Sequence, residues 1–342
     1  MRMTRARRSR AWGRWVRSLR GGALWCALIG AASASGCAAL FGARPLTTAG
    51  PGRTTLHVLP VAGRTRHYLL HLPPAAAAGP VPLVLAFHGD GANAAIFRES
   101  SRLDAAADRF GIAVAYPDGS GALDWFALSW HVDGECCGWA LAHDVDDVEY
   151  AEALVHTLGR VPGVDTTRVA AVGFSAGGTL ALRLACERAD LVRVAVNVAG
   201  TMPHLPCTPG RPVSVLLVQG ATDNELRDEQ LALQLRHAPH RTHSLENALR
   251  FWARQAGCTA DAIRRDSTAR EVVERAQGCP GMQAVELHTI GGHPHAWPGG
   301  RRPWVFAPRP APEVDGAALV MGFVERVLVG HASHGTRAAP SR

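Results

Sequence analysis

The chain has 342 residues, of which 47% are hydrophobic and 19% are charged, a composition typical of one large globular domain with a full core. Eight of its 36 basic residues are arginines in the first twenty positions, where no acid occurs, so the remaining 28 basic residues nearly balance the 29 acidic ones. Without a strongly basic surface, the sequence does not predict a nucleic-acid-binding function.

The first 36 residues have the three-part form of an export signal: an arginine cluster, a short apolar run and a stretch of small residues. The apolar run is too short to cross a bilayer. Ala34-Ser35-Gly36-Cys37 resembles a bacterial lipobox and predicts a lipid on Cys37, whereas cleavage after Ala32-Ser33-Ala34 would release a free protein. Both outcomes predict an extracytoplasmic location, and the membrane is a partner only through the lipid anchor.

The rest of the chain divides into a flexible tether over residues 37–52, one folded domain over 53–330 and a disordered tail over 331–342. Strand patterns alternate with helical patterns along this domain, which predicts a doubly wound, mainly parallel α/β sheet with antiparallel edge strands. The predicted strands are 54–59, 66–72, 81–87, 112–116, 169–172, 194–199, 213–218 and 284–290, and the predicted helices include 96–110 and 313–328.

Residues 120–144 are rich in aromatic side chains but follow no clear period. Such a segment usually crosses over an active site, and it makes Trp130 and Trp139 candidates for lining a substrate cleft. The alternative, that these tryptophans tie a long loop to the core, stays open. Trp297, in the last loop of the predicted sheet, is the other candidate substrate-binding residue.

The centre of the sequence pattern is residues 168–180, which read RVAAVGFSAGGTL. Small or β-branched residues at 169–172 predict a buried strand, and Gly173-Phe174-Ser175-Ala176-Gly177 then forms a G-x-S-x-G before a helical pattern. In a sharp strand-to-helix turn the glycines leave room for a strained serine at the carboxyl edge of the sheet. The pattern predicts Ser175 as a nucleophile; the alternative is a serine that only caps the helix.

The strand at 81–87 ends in His88-Gly89-Asp90-Gly91, another glycine-rich turn. This turn can bend back towards the serine, so the backbone N–H groups of Asp90 and Ala176 are predicted to form an oxyanion hole. An ordinary glycine-rich connection between strand and helix is the alternative interpretation.

A serine nucleophile needs a histidine base and an acid, which follow it in this order in sheets of this kind: serine, acid, histidine. Asp223 leaves the end of the strand at 213–218 and is the predicted acid, with Glu225 and Asp228 as rivals. His293 and His295 both lie in the loop after the strand at 284–290, and the residues alone do not choose between them. A metal site at this His-x-His pair is not expected, because no third ligand is evident nearby.

The cysteine content fits an oxidising compartment. We predict a disulfide between Cys258 and Cys279, which bracket a short excursion, and another between Cys186 and Cys207. The second pair follows from topology, since a helix leaving the serine turn ends at the bottom of the sheet, where the next strand begins. The adjacent Cys136 and Cys137 could pair with each other, stay reduced or exchange with the others.

Several motifs occur in a fixed order along the chain. They are His88-Gly89, Tyr116-Pro117-Asp118-Gly119, Trp130 before Cys136-Cys137-Gly138, Val145-Asp146-Asp147-Val148, the G-x-S-x-G turn, Gly220-Ala221-Thr222-Asp223 and His295-Ala296-Trp297-Pro298-Gly299. Over most of residues 65–300 this set resembles the secreted polyhydroxybutyrate depolymerase and feruloyl esterase-like group of carbohydrate esterase family 1. The resemblance implies an α/β-hydrolase catalytic domain, with Asp223 as the acid and His295, not His293, as the base.

The chain departs from the pattern of this family at three positions. Gln219 stands where a histidine is common, His293 where a third glycine is usual, and His131 where an asparagine often follows the tryptophan. None of these differences removes a catalytic residue.

The sequence therefore predicts a monomeric, secreted serine esterase that needs no metal and no organic cofactor. The resemblance implies two substrate classes, hydroxybutyrate polyesters or oligomers and feruloyl or acetyl esters of plant polysaccharide. The alternatives are a lipoprotein that only binds glycan or polymer, and an oligopeptidase of the same fold.

Overall fold

The computed structural model describes residues 52–133, 138–203, 206–224 and 245–330. The predicted signal peptide, Cys37, nearly all of the tether and the tail lie outside these residues. So do Cys136, Cys137 and the rival acids Glu225 and Asp228. No helix in the described part of the chain is both long and apolar enough to cross a membrane.

Ten strands in the described ranges form one sheet. They are β1 (Arg53–Val61), β2 (Arg64–Leu72), β3 (Val81–Phe87), β4 (Ala113–Pro117), β5 (Val164–Phe174), β6 (Val194–Val198), β7 (Ser214–Gly220), β8 (Thr259–Ser267), β9 (Glu271–Gln277) and β10 (Val285–Ile290). Their order across the sheet is β1-β2-β4-β3-β5-β6-β7-β10-β9-β8.

The six central strands, from β4 to β10, run parallel to one another. At one edge β2 pairs antiparallel with β4 and β1 with β2; at the other, β9 pairs antiparallel with β10 and β8 with β9. This topology confirms the predicted mainly parallel sheet with antiparallel edge strands.

Both faces of the sheet are covered. Along β5, Val169 and Ala171 face one buried apolar cluster, while Ala170 and Val172 face the other. A run of small and β-branched residues fits this position because a parallel strand buried on both sides has no polar face.

The α-helices of the described residues are α1 (Ala94–Ser101), α2 (Leu103–Phe110), α3 (Gly138–Ala142), α4 (Asp147–Leu158), α5 (Ala176–Glu187), α6 (Leu245–Gln255) and α7 (Gly316–Leu328). The prediction of one helix over 96–110 is wrong, because Arg102 adopts a left-handed conformation with φ 60° between α1 and α2. The break leaves Phe97 and Leu103 buried in the same cluster.

The β8–β9 hairpin is a second difference from the sequence prediction, which had only a short excursion between Cys258 and Cys279. Both strands carry charged residues on both faces, so the alternation of apolar and polar residues is lost. Cross-strand ion pairs such as Arg275 with Asp266 (2.9 Å) join the two strands instead.

Candidate active site

The carboxyl ends of β3, β5, β7 and β10 meet at one edge of the sheet, and the candidate functional residues follow these ends. Ligand sites of open α/β sheets lie at this edge. The fold therefore brings together segments that are far apart in the sequence.

Ser175 occupies the sharp turn between β5 and α5, with φ 54° and ψ −125°. A side chain is excluded on both sides of this turn: a Cβ on Gly173 would lie 2.0 Å from the carbonyl oxygen of Gly177, and a Cβ on Gly177 would lie 2.3 Å from that of Phe87. The Ser175 N–H donates to the carbonyl oxygen of Val198 on the neighbouring strand (2.8 Å). These contacts hold the serine in a conformation that L residues rarely adopt.

Three side chains converge here in a continuous hydrogen-bond chain. His295 Nε2 lies 3.1 Å from Ser175 Oγ, and His295 Nδ1 lies 2.8 Å from Asp223 Oδ2, although 120 and 72 residues of sequence separate the pairs. The neutral tautomer that satisfies both contacts donates Nδ1–H to the carboxylate and accepts the serine proton at Nε2. The structure thus assembles the geometry of a serine hydrolase triad.

Asp223 and His295 are each held in place by neighbouring groups. Asp223 is buried, and its Oδ2 also accepts a hydrogen bond from the Gln219 amide (3.1 Å) at the end of β7. The ring of Phe174 packs against the His295 imidazole with centroids 5.0 Å apart. These contacts limit the freedom of both side chains, as a preorganised site requires.

His293, the other histidine of this loop, serves the loop itself. It is buried, its Nε2 bonds to the carbonyl oxygen of Ala296 (2.9 Å), and its Nδ1 accepts the N–H of Ala311 (3.2 Å). Burial lowers its pKa, which the bond to Ala296 and the charge of Asp223 only partly oppose. The structure therefore resolves what the residues alone left open, since it is His295 that contacts Ser175.

The two predicted oxyanion donors belong to segments that adjoin Ser175. Ala176 is the first residue of α5, so its N–H has no acceptor within the helix. Gly89 lies directly against the serine, because a Cβ built on it would be 3.3 Å from Ser175 Cβ, and Asp90 is the next residue. The oxyanion role of Ala176 and Asp90 stays a prediction.

The prediction that Trp130 binds substrate is wrong. Its side chain has no exposed surface, it packs edge-on against Phe87, and its Nε1–H donates to the carbonyl oxygen of His88 (2.8 Å). The alternative interpretation, an aromatic side chain that ties a loop to the core, describes it correctly.

Trp297 is also buried, which contradicts its predicted role in substrate binding. Only 4% of it is exposed, and its ring packs edge-on against Phe97 of α1 with centroids 5.3 Å apart. Trp139 is partly exposed and stacks on His143 at 3.8 Å.

Sequence reasoning did not single out two exposed aromatic side chains in the loop that follows β4. Trp125 is 65% exposed and Phe126 39%, at the tip of the loop that follows β4. Asn93 donates from Nδ2 to the carbonyl oxygen of Trp125 (3.0 Å), which ties this tip to the turn after β3. The sequence offered one indication of their exposure. Trp125 and Phe126 follow Gly119, Ser120, Gly121 and Asp124, residue types that are typical of a surface loop.

Both predicted disulfides are present, Cys186–Cys207 and Cys258–Cys279. The first joins the end of α5 to the segment before β7, as the topology required. The second closes the β8–β9 hairpin. Disulfides of this kind indicate an oxidising compartment.

Comparison with known proteins agrees with this geometry. Residues 66–202 match the family described as Esterase PHB depolymerase, and residues 139–274 match the Dienelactone hydrolase family. NocK of Nocardia uniformis subsp. tsuyamanensis, a protein named as an esterase, is 35% identical over 298 residues, which are 80% of this chain and 79% of NocK. The chain belongs to the PHB depolymerase family of esterases. Feruloyl esterase B of Piromyces equi is 29% identical to this esterase over 231 residues, 66% of the chain but only 41% of the Piromyces protein.

Solved structures resemble the esterase in fold at low sequence identity. An S-formylglutathione hydrolase from Agrobacterium tumefaciens has a TM-score of 0.51 and 12% identity, covering 82% of this chain and 98% of its own. An acetyl xylan esterase from Aspergillus awamori has a TM-score of 0.50 and 13% identity, covering 71% and 94%. These likenesses show the α/β-hydrolase fold. The family membership makes the protein a carboxylic ester hydrolase.

Proposed function

We propose that the protein is a serine esterase that works through an acyl-enzyme, with Ser175 as nucleophile, His295 as base and Asp223 as acid. The observation that carries this proposal is the unbroken hydrogen-bond chain from Asp223 through His295 to Ser175. A serine hydroxyl is a weak nucleophile unless an adjacent base takes its proton, and this chain supplies the base together with the group that orients it.

The reaction has two halves. His295 Nε2 takes the proton of Ser175 as Oγ attacks the ester carbonyl, and the N–H groups of Ala176 and Asp90 hold the developing oxyanion. His295 then gives the proton to the departing alcohol oxygen, which leaves an acyl group on Ser175. Water, deprotonated by His295, then attacks this acyl group. The bond between the acyl carbon and Ser175 Oγ breaks, His295 returns the proton to Oγ, and the carboxylic acid leaves. Asp223 stays ionised and stabilises the imidazolium in both halves.

Replacement of Ser175 tests the mechanism. We expect Ser175→Ala to abolish hydrolysis of a short aryl ester and labelling by a fluorophosphonate. Ser214→Ala is the matched control, because Ser214 lies at the opposite, amino end of β7, bonded to Gln283. Undiminished hydrolysis by Ser175→Ala would rule out the mechanism. Labelling of the native enzyme would separate it from a protein that only binds glycan or polymer.

For the substrate, we propose feruloyl and acetyl esters of plant polysaccharide first. The Piromyces relative is named a feruloyl esterase. Exposed Trp125 and Phe126, in the loop that Asn93 ties to the turn after β3, offer flat apolar surface, on which planar acyl groups and sugar rings stack. Hydroxybutyrate oligomers are the second candidate, favoured by the description of the matching family.

A product assay on feruloylated arabinoxylan, acetylated xylan and hydroxybutyrate oligomers, run side by side, decides between these substrates. Trp125→Ala should raise KM for the polymer that the enzyme prefers and leave turnover of a short aryl ester unchanged. Phe306→Ala removes an aromatic side chain that is 94% exposed in the loop before α7, and serves as control. An equal effect of both substitutions would argue against a substrate role for Trp125.

We further propose that the enzyme is exported, carried on a lipid at Cys37, and active as a monomeric domain over residues 53–330. The two disulfides and the three-part amino-terminal sequence support export. Cys37→Ala should move the protein from the membrane fraction to the soluble extracytoplasmic fraction. Unchanged fractionation would favour the alternative cleavage after Ala32-Ser33-Ala34.

A further inference from the structure

His88 is a fully buried histidine to which the mechanism above gives no role. It begins the oxyanion loop, which we define as residues 88–91, and none of its surface is exposed. Both ring nitrogens are engaged: the backbone N–H of Gly119 donates to Nε2 (2.9 Å), and Nδ1 lies 2.8 Å from the carbonyl oxygen of Gly89.

These contacts determine the tautomer of the ring. A backbone N–H can only donate, so Nε2 must be unprotonated, and the neutral ring carries its proton on Nδ1. Nδ1–H therefore donates to the carbonyl of Gly89. Burial lowers the pKa of His88 to about 4, so the ring is neutral near pH 7 and keeps both hydrogen bonds.

The bond to Gly89 acts on the oxyanion hole through the peptide plane. The carbonyl of Gly89 and the N–H of Asp90 belong to the same peptide unit. Because this unit is planar and its C=O and N–H point in opposite directions, a donor that fixes the carbonyl also fixes the direction of the Asp90 N–H. The Ala92 N–H also donates to this carbonyl, at the longer distance of 3.2 Å.

We propose that His88 is a positioning residue that aims the Asp90 N–H at the oxyanion by holding the Gly89–Asp90 peptide unit. The proposal rests on the proposed serine esterase mechanism and goes beyond it, because it assigns an orienting function to a side chain outside the triad.

Neighbouring groups hold His88 itself in place. Trp130 Nε1–H donates to the His88 carbonyl (2.8 Å), and the Trp130 and His88 rings lie 4.7 Å apart. Gly119 and Trp130 both belong to the segment after β4, which also receives the Gly91 N–H at the carbonyl of Leu128 (2.8 Å). His88 thus links the oxyanion loop to a support that the core holds in place.

The test compares variants that separate the two ring contacts. His88→Asn places an amide near the position of Nδ1 and keeps a donor for Gly89, whereas His88→Gln reaches towards Gly119 and loses that donor. His88→Leu removes both. For a short aryl ester, we expect His88→Leu and His88→Gln to lower kcat about 10- to 100-fold, less than the loss of a whole oxyanion donor, with little change in KM. His88→Asn should recover most of kcat.

A second readout separates positioning from general damage. A boronic acid forms a tetrahedral adduct on the nucleophile, so its affinity should fall in parallel with kcat among the His88 variants. His71→Leu is the control, because His71 is another buried histidine with both ring nitrogens bonded, to Thr54 (2.9 Å) and Asp108 (2.9 Å) at the edge of the sheet. It should reduce stability without reducing kcat.

The outcomes are distinct. Equal kcat values for His88→Asn and His88→Gln, or a loss confined to KM, would overturn the positioning role, and this comparison stands even if His88→Leu does not fold. If the His88 variants keep full kcat while Ser175→Ala is inactive, only the positioning role fails. If Ser175→Ala is as active as the native enzyme, the proposed function itself fails.

Discussion

Replacing Asp118 by asparagine should stabilise this esterase near neutral pH. Asp118 follows β4, and its Oδ1 accepts the N–H of Ala94 at the start of α1 (2.7 Å). Burial raises the pKa of this carboxyl from 3.8 to about 6, against the opposing effects of the Ala94 bond and of the positive charges near it. At pH 8 the folded protein therefore holds an ionised carboxylate in a place where burial makes the charge more costly than it is in the unfolded chain.

The magnitude follows from linkage between protonation and folding. A carboxyl whose pKa is higher in the folded than in the unfolded state contributes stability below the unfolded value, and this contribution is lost as the pH rises through the folded value. A rise from 3.8 to about 6 corresponds to about 3 kcal/mol. Asparagine keeps the carbonyl acceptor for Ala94 and carries no charge. Asp118→Asn should therefore be more stable than the native protein at pH 8, by up to about 3 kcal/mol, and nearly equal to it at pH 4.

Urea unfolding of both proteins at pH 4, 6 and 8 measures this difference directly. Asp165→Asn is a control of opposite sign: although burial acts to raise the pKa of Asp165, hydrogen bonds from Thr167 and Arg168 lower it overall. That variant should lose stability at pH 8. If Asp118→Asn were less stable than the native protein at pH 8, or if its effect were the same at all three pH values, the burial argument would be refuted.

Three further predictions concern stability. Trp297→Phe should leave KM unchanged and alter the free energy of unfolding by no more than about 1 kcal/mol, because the buried Nε1–H has no hydrogen-bond partner within the described residues. Ester kinetics measure the KM, and urea unfolding measures the free energy. Replacing Cys258 and Cys279 together by serine should cost about 3 kcal/mol in a urea titration, since the bond closes a loop of 21 residues. Asp147→Ala should cost about 3–5 kcal/mol in the same titration, because it leaves the Arg66 guanidinium, 2.8 Å away and 4% exposed, as an unpaired buried charge.

The elements around the nucleophile could be predicted because their causes are local. Residues 169–172 are small and apolar on consecutive positions, and the strand β5 is buried on both faces for that reason. Gly173 and Gly177 are required by backbone contacts within the turn and with the next strand. Other elements were missed where tertiary contacts decide. Arg102 breaks a pattern that predicts one helix. The strands β8 and β9 pair antiparallel although their charged residues show no alternation of apolar and polar positions.

Chain order and chemistry predicted an acid after β7 and a histidine after β10, and the family resemblance implied Asp223 and His295 for these roles. His293 and His295 are two residues apart and both follow β10, so the choice depends on which ring faces Ser175. The tryptophans show more clearly what residue type alone does not predict. Trp130 and Trp297 have the residue type of a substrate platform, and only their packing against Phe87 and Phe97 shows that they are core residues.

The segment 118–130 explains why such errors fall beside an active site. It holds the oxyanion loop and the start of α1 through four contacts: a carboxylate at the Ala94 N–H, a backbone N–H at the His88 ring, an indole N–H at the His88 carbonyl and a backbone carbonyl at the Gly91 N–H. Two of these four contacts come from backbone atoms, which every residue except proline has in common. The side chains that react can be recognised from their residue type. The groups that position them often act through backbone contacts, which the residue type does not predict. The ranking of kcat among the His88 variants therefore tests a part of the site that composition and motifs do not predict.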